Sequence, residues 1–318
     1  MGSSTSESSR PDEAKPPSDL IGVLEQGRRQ FLALVEHVRP ELHRYCTRMT
    51  GSAADGEDVV QETLARGYYE LSQMNTLPAL RPWLFRIAHN RAIDHWRHER
   101  TRATEPLDAA AEVAGEAGLE PDNALARQEA VRAALGSFLA LAPAQRGCVI
   151  LKDVLDHSLE EIAAELELSV PAVKAALHRG RAALRQQLDA TPASPPAAAR
   201  ATSAALRRYA NLFNAHDWDG VRGLLAEDVR LDLVAHRKAA GRREVGSYFS
   251  NYERVGGWQL QPGWFEGREV LAVRAAAGAP PRYFIELGWR DGQVISIRDF
   301  RYVPYIAQDS AFALDAAA

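Results

Sequence analysis

Apolar residues recur at three- and four-residue spacing from Leu20 to about Arg102, with almost no period-two alternation, which predicts a block of helices. A second block with the same period runs from Arg127 to about Asp189. Between them, residues 103–126 carry Glu105, Asp108, Glu112, Glu116, Glu120 and Asp122 and no Lys or Arg, the composition of an acidic linker. Pro192, Pro195 and Pro196 then end helical order, because proline lacks an amide proton and biases its neighbour toward extended backbone. Beyond them the texture changes. One helix is expected from about Arg200 to Asn214, with Leu206, Tyr209, Ala210 and Phe213 on one stripe, and shorter ones at Val221–Ala226 and Glu244–Arg254. Alternating runs follow at Val229, Leu231 and Leu233, at Val270 and Ala272, at Tyr283, Ile285, Leu287 and Trp289, and at Ile295, Ile297 and Asp299. These read as antiparallel strands, and Asp291-Gly292 between two of them is a two-residue hairpin signal. The predicted organisation is a multidomain chain: a disordered tail at 1–19, an all-α unit at 20–102, the acidic linker at 103–126, a second all-α unit at 127–190, a Pro-rich linker at 191–199 and an α+β unit at 200–318.

Composition narrows the function classes. The 318 residues carry a formal charge of −4, which excludes a uniformly basic nucleic-acid binder and leaves that role to local patches. Two cysteines, Cys46 and Cys148, are too few for a disulfide scaffold or a Cys-rich zinc site, and no metal or cofactor is expected. No stretch approaches the ~18 apolar residues of a membrane helix. The Ser- and Pro-rich start lacks the apolar core of a signal peptide, so the expected location is the cytoplasm, without a membrane partner.

Ser158-Leu159-Glu160-Glu161 is a capping box, in which the Ser oxygen binds a first-turn amide and Glu161 reaches back. It opens a short helix, Leu159–Leu166; Glu167-Leu168-Ser169 forms a tight turn, and Ser169 caps a second helix with Pro171 in its first turn. That helix carries Lys174, His178, Arg179, Arg181 and Arg185 and no acid from Val170 to Leu188. Two short helices, a tight turn and a one-signed second helix make a helix-turn-helix suited to a DNA major groove. In the first block, Asp55, Glu57, Asp58 and Glu62 form an acidic patch around Val59, Val60 and Leu64. The sign then reverses: Arg81, Arg86, Arg91, Arg97, Arg100 and Arg102 stand against Asp94 and Glu99, interleaved with Trp83, Phe85, Asn90 and Trp96. Bases attract phosphate through counterion release, and aromatics or amides among them suit unstacked bases. Taken alone, Trp83 and Phe85 also fit core packing.

The run Asp55-Gly56-Glu57-Asp58-Val59-Val60-Gln61-Glu62-Thr63, followed by Pro82-Trp83-Leu84-Phe85-Arg86-Ile87-Ala88-His89-Asn90, resembles domain 2 of the extracytoplasmic-function (ECF) sigma factors of the sigma-70 family. The Ser158–Leu184 block resembles domain 4 of the same family. The resemblance implies an alternative sigma factor that binds core RNA polymerase, through the β′ clamp and β subunits, and promoter DNA. It implies that Asp55, Glu57, Asp58, Gln61 and Glu62 dock on the clamp helices, and that Trp83, Arg86, Asn90, Arg91 and Arg97 serve the −10 element. Lys174, His178, Arg179 and Arg181 match positions facing the −35 element. Glu167 stands where the family usually has Gly, which puts the geometry of that turn in question.

The C-terminal unit resembles the SnoaL-like fold, a cone of curved sheet closed by helices, around Phe213-Asn214-Ala215-His216-Asp217-Trp218-Asp219 and the Asp291-Gly292 hairpin. Such folds host many functions. The resemblance implies a regulatory extension, with Asp232, His236, Tyr248, Trp264 and Asp299 as candidates to line a pocket for a small ligand. Two other readings stay open: a helix-turn-helix regulator acting without polymerase, and a ligand-sensing or enzymatic C-terminal domain attached to a DNA binder.

Overall fold

The computed structural model describes residues 18–104, 135–190, 201–255, 257–276, 278–307 and 312–315; the predicted tail up to residue 17, the acidic linker beyond Thr104, residues 127–134 of the second unit and the Pro-rich linker lie outside them, while Ser18 and Asp19, placed in the tail by the sequence, are helical. The first block is α1 (Ser18–Val35), α2 (Arg39–Thr50), α3 (Ala53–Ser72) and α4 (Leu80–Thr104). Gly51, at φ 86°, closes α2 in the left-handed conformation that glycine adopts without strain, and Ser52 caps α3 by accepting from the Asp55 amide. The second block is a helical segment at 135–139, here α5, followed by α6 (Pro143–Val149), a π-helical turn (Ile150–Val154), α7 (Leu159–Leu166) and α8 (Val170–Ala190). The predicted capping box is formed, with Ser158 and Glu161 each bonding the other's backbone amide. Glu167 ends α7 at φ 54°, so the turn takes the left-handed geometry without glycine.

The two blocks share one core. Tyr45, Leu84 and Phe85 of the first pack in a single apolar cluster with Cys148, Leu151 and Leu177 of the second. Arg146 of α6 is wholly buried at this seam, donating to the carbonyls of Met49 (2.6 Å), Leu139 (2.7 Å) and Leu141 (3.0 Å). It thus satisfies an acceptor left open at the end of α2. A Cβ built on Gly147 would meet the Tyr45 hydroxyl at 2.9 Å, so the absence of a side chain lets α6 lie against the first block.

The C-terminal unit starts with α9 (Ala204–Asn214), whose buried stripe is Leu206, Tyr209, Ala210 and Phe213, as the periodicity predicts. The helix expected at Val221–Ala226 lies earlier, as α10 (Trp218–Gly223). Asp217 sets its start by accepting from the Gly220 amide, and Leu225 and Ala226 already belong to β1 (Leu225–Leu233). The helix expected at Glu244–Arg254 is divided into α11 (Arg242–Tyr248) and α12 (Ser250–Arg254). With β2 (Arg237–Ala240), β3 (Gln259–Phe265), β4 (Arg268–Arg274), β5 (Tyr283–Arg290), β6 (Gln293–Asp299) and β7 (Ala313–Leu314), β1 forms one sheet of order β2-β1-β6-β5-β4-β3-β7. The pairing is antiparallel except at β1–β6, which is parallel, contrary to the all-antiparallel expectation. The β5–β6 hairpin turns through Asp291 at φ 52° and Gly292 at φ 76°, as that dipeptide predicts. A second core draws on both faces of the sheet, since Val270 and Leu271 on β4 and Phe284 and Ile285 on β5 are neighbours in their strands and all buried, and Ala53 and Ala54 of α3 belong to the same cluster. The first block and the C-terminal unit are therefore packed together.

Candidate functional site

Helix α3 carries the predicted acidic patch, and three of its carboxylates face the C-terminal unit. Glu57 has no exposed surface: Arg39 of α2 reaches it at 2.6 Å and the Tyr305 hydroxyl donates to it at 2.7 Å. Arg39 also donates to Tyr305 at 2.7 Å, closing a three-member ring of bonds across the contact. Asp58 pairs with Arg298 of β6 at 2.7 Å, and Arg268 of β4 stands 3.9 Å from Asp55. The Ala53 amide, one of the free donors at the helix start, binds both oxygens of Glu266 at 2.9 Å. Burial pushes the Asp58 carboxyl up to about 6, against the opposing pull of Arg298. Burial likewise lifts Glu266 to about 7, although its bonds to Ala53 and Ser52 favour the charged form. Gln61 is half-buried, its side-chain nitrogen without a hydrogen-bond partner among the described residues, and Glu62 is exposed. The expected open acidic surface is thus corrected: Glu57 is inside, and Asp55 and Asp58 face cations of the C-terminal unit, because the sheet face packed against α3 presents Arg268 and Arg298 to them.

On α4 the interleaved residues separate by depth. Trp83 is 5% exposed and packs in the shared core, which corrects its assignment as a surface reader of DNA. Arg86 reaches across to Glu167 of the second block at 2.9 Å. Asn90 is exposed, and Arg91 (3.3 Å) and Arg97 (4.0 Å) lie near Asp94 on the open face. Along α8, Val173 and Leu177 face the core as the pattern predicts. Lys174, His178 and Arg181, with Arg185 and Lys152, line an open cleft of about 640 Å³. Arg179 is exposed one position further round the helix. Arg181 is already engaged by Asp153 of the π-helical turn at 2.9 Å.

In the C-terminal unit two of the five candidate pocket residues, Asp299 and Tyr248, are brought together. Asp299 is fully buried and accepts from the Tyr248 hydroxyl, from Tyr252 at 3.1 Å and from the Arg301 amide at 2.9 Å. Burial raises its pKa, against those three bonds. Asp232 points to the opposite face of the sheet, 3.8 Å from Lys238, as strand alternation between buried Leu231 and Leu233 requires. His236 is exposed and stacks on Tyr302 at 4.2 Å, and Trp264 is half-buried on β3. Of the candidates, Asp232 is thus turned away from the Asp299–Tyr248 pair and His236 is on the surface. Among the described residues no group of three or more His, Cys, Asp or Glu is arranged to hold a metal, and no helix is long and apolar enough to cross a membrane.

Sequence reasoning missed four residues of this arrangement. Arg39, Arg146, Tyr305 and Glu266 stand in segments that read as ordinary helix or loop, and only the approach of distant parts of the chain gives them partners.

Comparison with known proteins follows the same divisions. The Sigma-70 region 2 model matches residues 34–102, and the Sigma-70, region 4 model matches residues 134–184. The chain is 30% identical over 166 residues to the ECF RNA polymerase sigma factor SigW of Bacillus subtilis, a match covering 50% of this chain and 88% of that protein. It is 32% identical over 218 residues to the ECF sigma factor SigG of Mycobacterium tuberculosis, covering 61% of this chain and 59% of that one. Among solved structures, the ECF sigma factor SigJ of Mycobacterium tuberculosis aligns over 84% of this chain and 95% of its own, at 22% identity and a TM-score of 0.34.

Proposed function

The chain belongs to the extracytoplasmic-function sigma factors of RNA polymerase, and from that premise we propose how its parts divide the work. As a member it is a transcription initiation factor that works with core polymerase on promoter DNA. In this reading α3 is the docking surface for the β′ clamp helices, with Asp55, Glu57, Asp58, Gln61 and Glu62 as its polar face. Opposite charge steers such an encounter and fixes its register. Arg86, Asn90, Arg91 and Arg97 of α4 serve the −10 element. Lys174, His178, Arg179 and Arg181 of α8 serve the −35 element, where their exposure and single sign suit phosphates and base edges.

The C-terminal unit regulates the sigma domains by covering α3. One observation carries this: Asp55, Glu57 and Asp58 each face a C-terminal side chain, namely Arg268, Tyr305 and Arg298. A clamp helix and the C-terminal sheet cannot hold the same carboxylates together, so polymerase has to displace the sheet. Catalysis by the unit is disfavoured, since Asp299 is fully buried and engaged by two tyrosine hydroxyls and a backbone amide, and Asp232 and His236 are elsewhere.

The experiment is in vitro transcription and core-binding with the full chain. Asp58→Arg should abolish stimulation of core polymerase at a cognate promoter. A chain with that substitution that still bound and directed core polymerase normally would remove α3 from this role, and a wild-type chain that neither bound core nor supported initiation would overturn the reading altogether.

A further inference from the structure

The closed packing of domains 2 and 4 is incompatible with promoter recognition, on geometry alone. Arg86 of α4 is 2.9 Å from Glu167, in the turn that leads into α8. The −10 and −35 elements are centred about 25 base pairs apart, roughly 85 Å of duplex at ~3.4 Å per base pair. Two readers in direct contact cannot occupy both, so the domains have to part, against the shared apolar core and the Arg146 bond to Met49 that join them.

At the centre of the seam lies a buried ionisable group that neither the DNA-binding nor the polymerase-binding face uses. His157, in the bend before α7, has a fully buried side chain. Its Nδ1 meets Glu165 of α7 at 2.8 Å, and Glu165 is itself fully buried. On the other side, Nε2 lies 3.0 Å from Glu41 of α2, and so within domain 2. Arg81 of α4 completes the cluster. It binds Glu41 at 2.7 Å and Glu161 of α7 at 3.2 Å, and its Nη2 lies 2.8 Å from His157 Nε2. Lys152 of the π-helical turn binds the His157 carbonyl at 2.9 Å, and Phe85 of α4 sets its ring edge-on to the imidazole at 5.2 Å. The groups facing His157 are therefore three carboxylates, Glu41, Glu161 and Glu165, and two cations, Arg81 and Lys152, drawn from both domains.

We infer that His157 is the latch of the closed state: its imidazole joins Glu165 of domain 4 to Glu41 of domain 2, and breaking the Glu41 side frees domain 4 to reach the −35 element. The inference rests on the sigma-factor reading for its consequence, and on the seam alone for its mechanism. Protonation suits the role. Burial and the neighbouring Arg81 charge work against protonation, but the bonds to Glu165 and Glu41 outweigh them and lift His157 to about 9, so the imidazole is charged at neutral pH and its Nε2 proton is directed to Glu41 rather than to Arg81. Burial also opposes charge on Glu41, yet His157 and Arg81 hold its carboxyl down to about 2. The sign follows: a histidine whose pKa is raised in the closed state favours closure fully below its ordinary value of 6.5, and loses that contribution as pH rises through about 9.

The test is a distance measurement on the full chain, with fluorophores on cysteines introduced at two exposed positions, Tyr69 near the end of α3 and Gln186 on α8; the native Cys46 and Cys148 are buried. At pH 7 the unaltered background should show one short distance. Glu41→Ala, which leaves the His157–Glu165 pair inside domain 4 intact, should raise the population of long distances at least tenfold, with unchanged far-ultraviolet circular dichroism. Raising the pH of the unaltered background from 7 to 10 should open it with a midpoint near 9, and the Glu41→Ala chain should lack that transition. An identical short distance in both chains across this range overturns the latch. Promoter-directed transcription by the unaltered chain reads the sigma assignment separately, so failure of one is not mistaken for failure of the other.

Discussion

Tyr305 and Arg146 show how single side chains bind parts of this molecule that are far apart in sequence. Tyr305 accepts from Arg39 and donates to Glu57, at 2.7 Å each, so Tyr305→Phe removes two bonds while keeping the ring. That change should weaken docking of the C-terminal unit by about 1–2 kcal/mol, through loss of hydrogen bonds to charged groups, and should raise core polymerase affinity. Titration of labelled core with both chains checks it. Arg146 serves three carbonyls without exposure, and Arg146→Met would leave buried acceptors on both sides of the domain 2–domain 4 seam. The expected loss is about 3 kcal/mol or more, read from denaturant unfolding. Neither role was legible in the sequence. Arg146 stands in Pro143-Ala144-Gln145-Arg146-Gly147, which reads as a solvated helix start, and Glu57 sits among acids that look like one exposed patch. Burial of a charge is decided by partners, and partners more than 200 positions away leave no local trace.

Elements were more legible than residues where local chemistry fixes them. The capping box at Ser158, the stripe along α9 and the Asp291-Gly292 turn all stand as the sequence predicts, because each depends on neighbours within a few positions. Strands β2, β3 and β7 were missed. Pro262 and Gly263 interrupt the strand pattern of β3, and β7 has two residues paired at the sheet edge. The parallel β1–β6 pair was hidden for another reason: periodicity reports which face is buried and not which strand lies alongside. Helix α3 depends on a glycine in its first turns. A Cβ on Gly56 would lie 2.6 Å from the Thr47 amide nitrogen of α2, a backbone atom that cannot swing aside. Gly56→Ala should therefore push α2 and α3 apart, destabilising domain 2 by about 1–3 kcal/mol despite alanine's better helix propensity. Thermal unfolding of the full chain measures this, and an unchanged or raised midpoint would contradict the close approach.

At the scale of the whole molecule, two packed cores meet along α3, and the acids at that contact make docking respond to pH. The ordinary values are 3.8 for Asp58 and 4.5 for Glu266, and the docked state raises them to about 6 and about 7. The docked form thus binds protons more tightly than the open form, so docking is favoured at low pH and loses this contribution as pH climbs from about 4 to about 7. Small-angle scattering should give a larger radius of gyration at pH 8 than at pH 5, and Glu266→Gln, which cannot ionise, should flatten that change. This window lies below the one set by His157, so the two contacts can be told apart in a single titration. The most direct test of the account is the affinity of full-length protein for core polymerase with the C-terminal contact broken from its own side. Arg298→Glu combined with Tyr305→Phe leaves every residue of α3 unchanged. Core binding should then be at least tenfold tighter than wild type, with a matching rise in promoter-directed transcription; affinity equal to or weaker than wild type would show that the C-terminal unit does not cover α3 in solution.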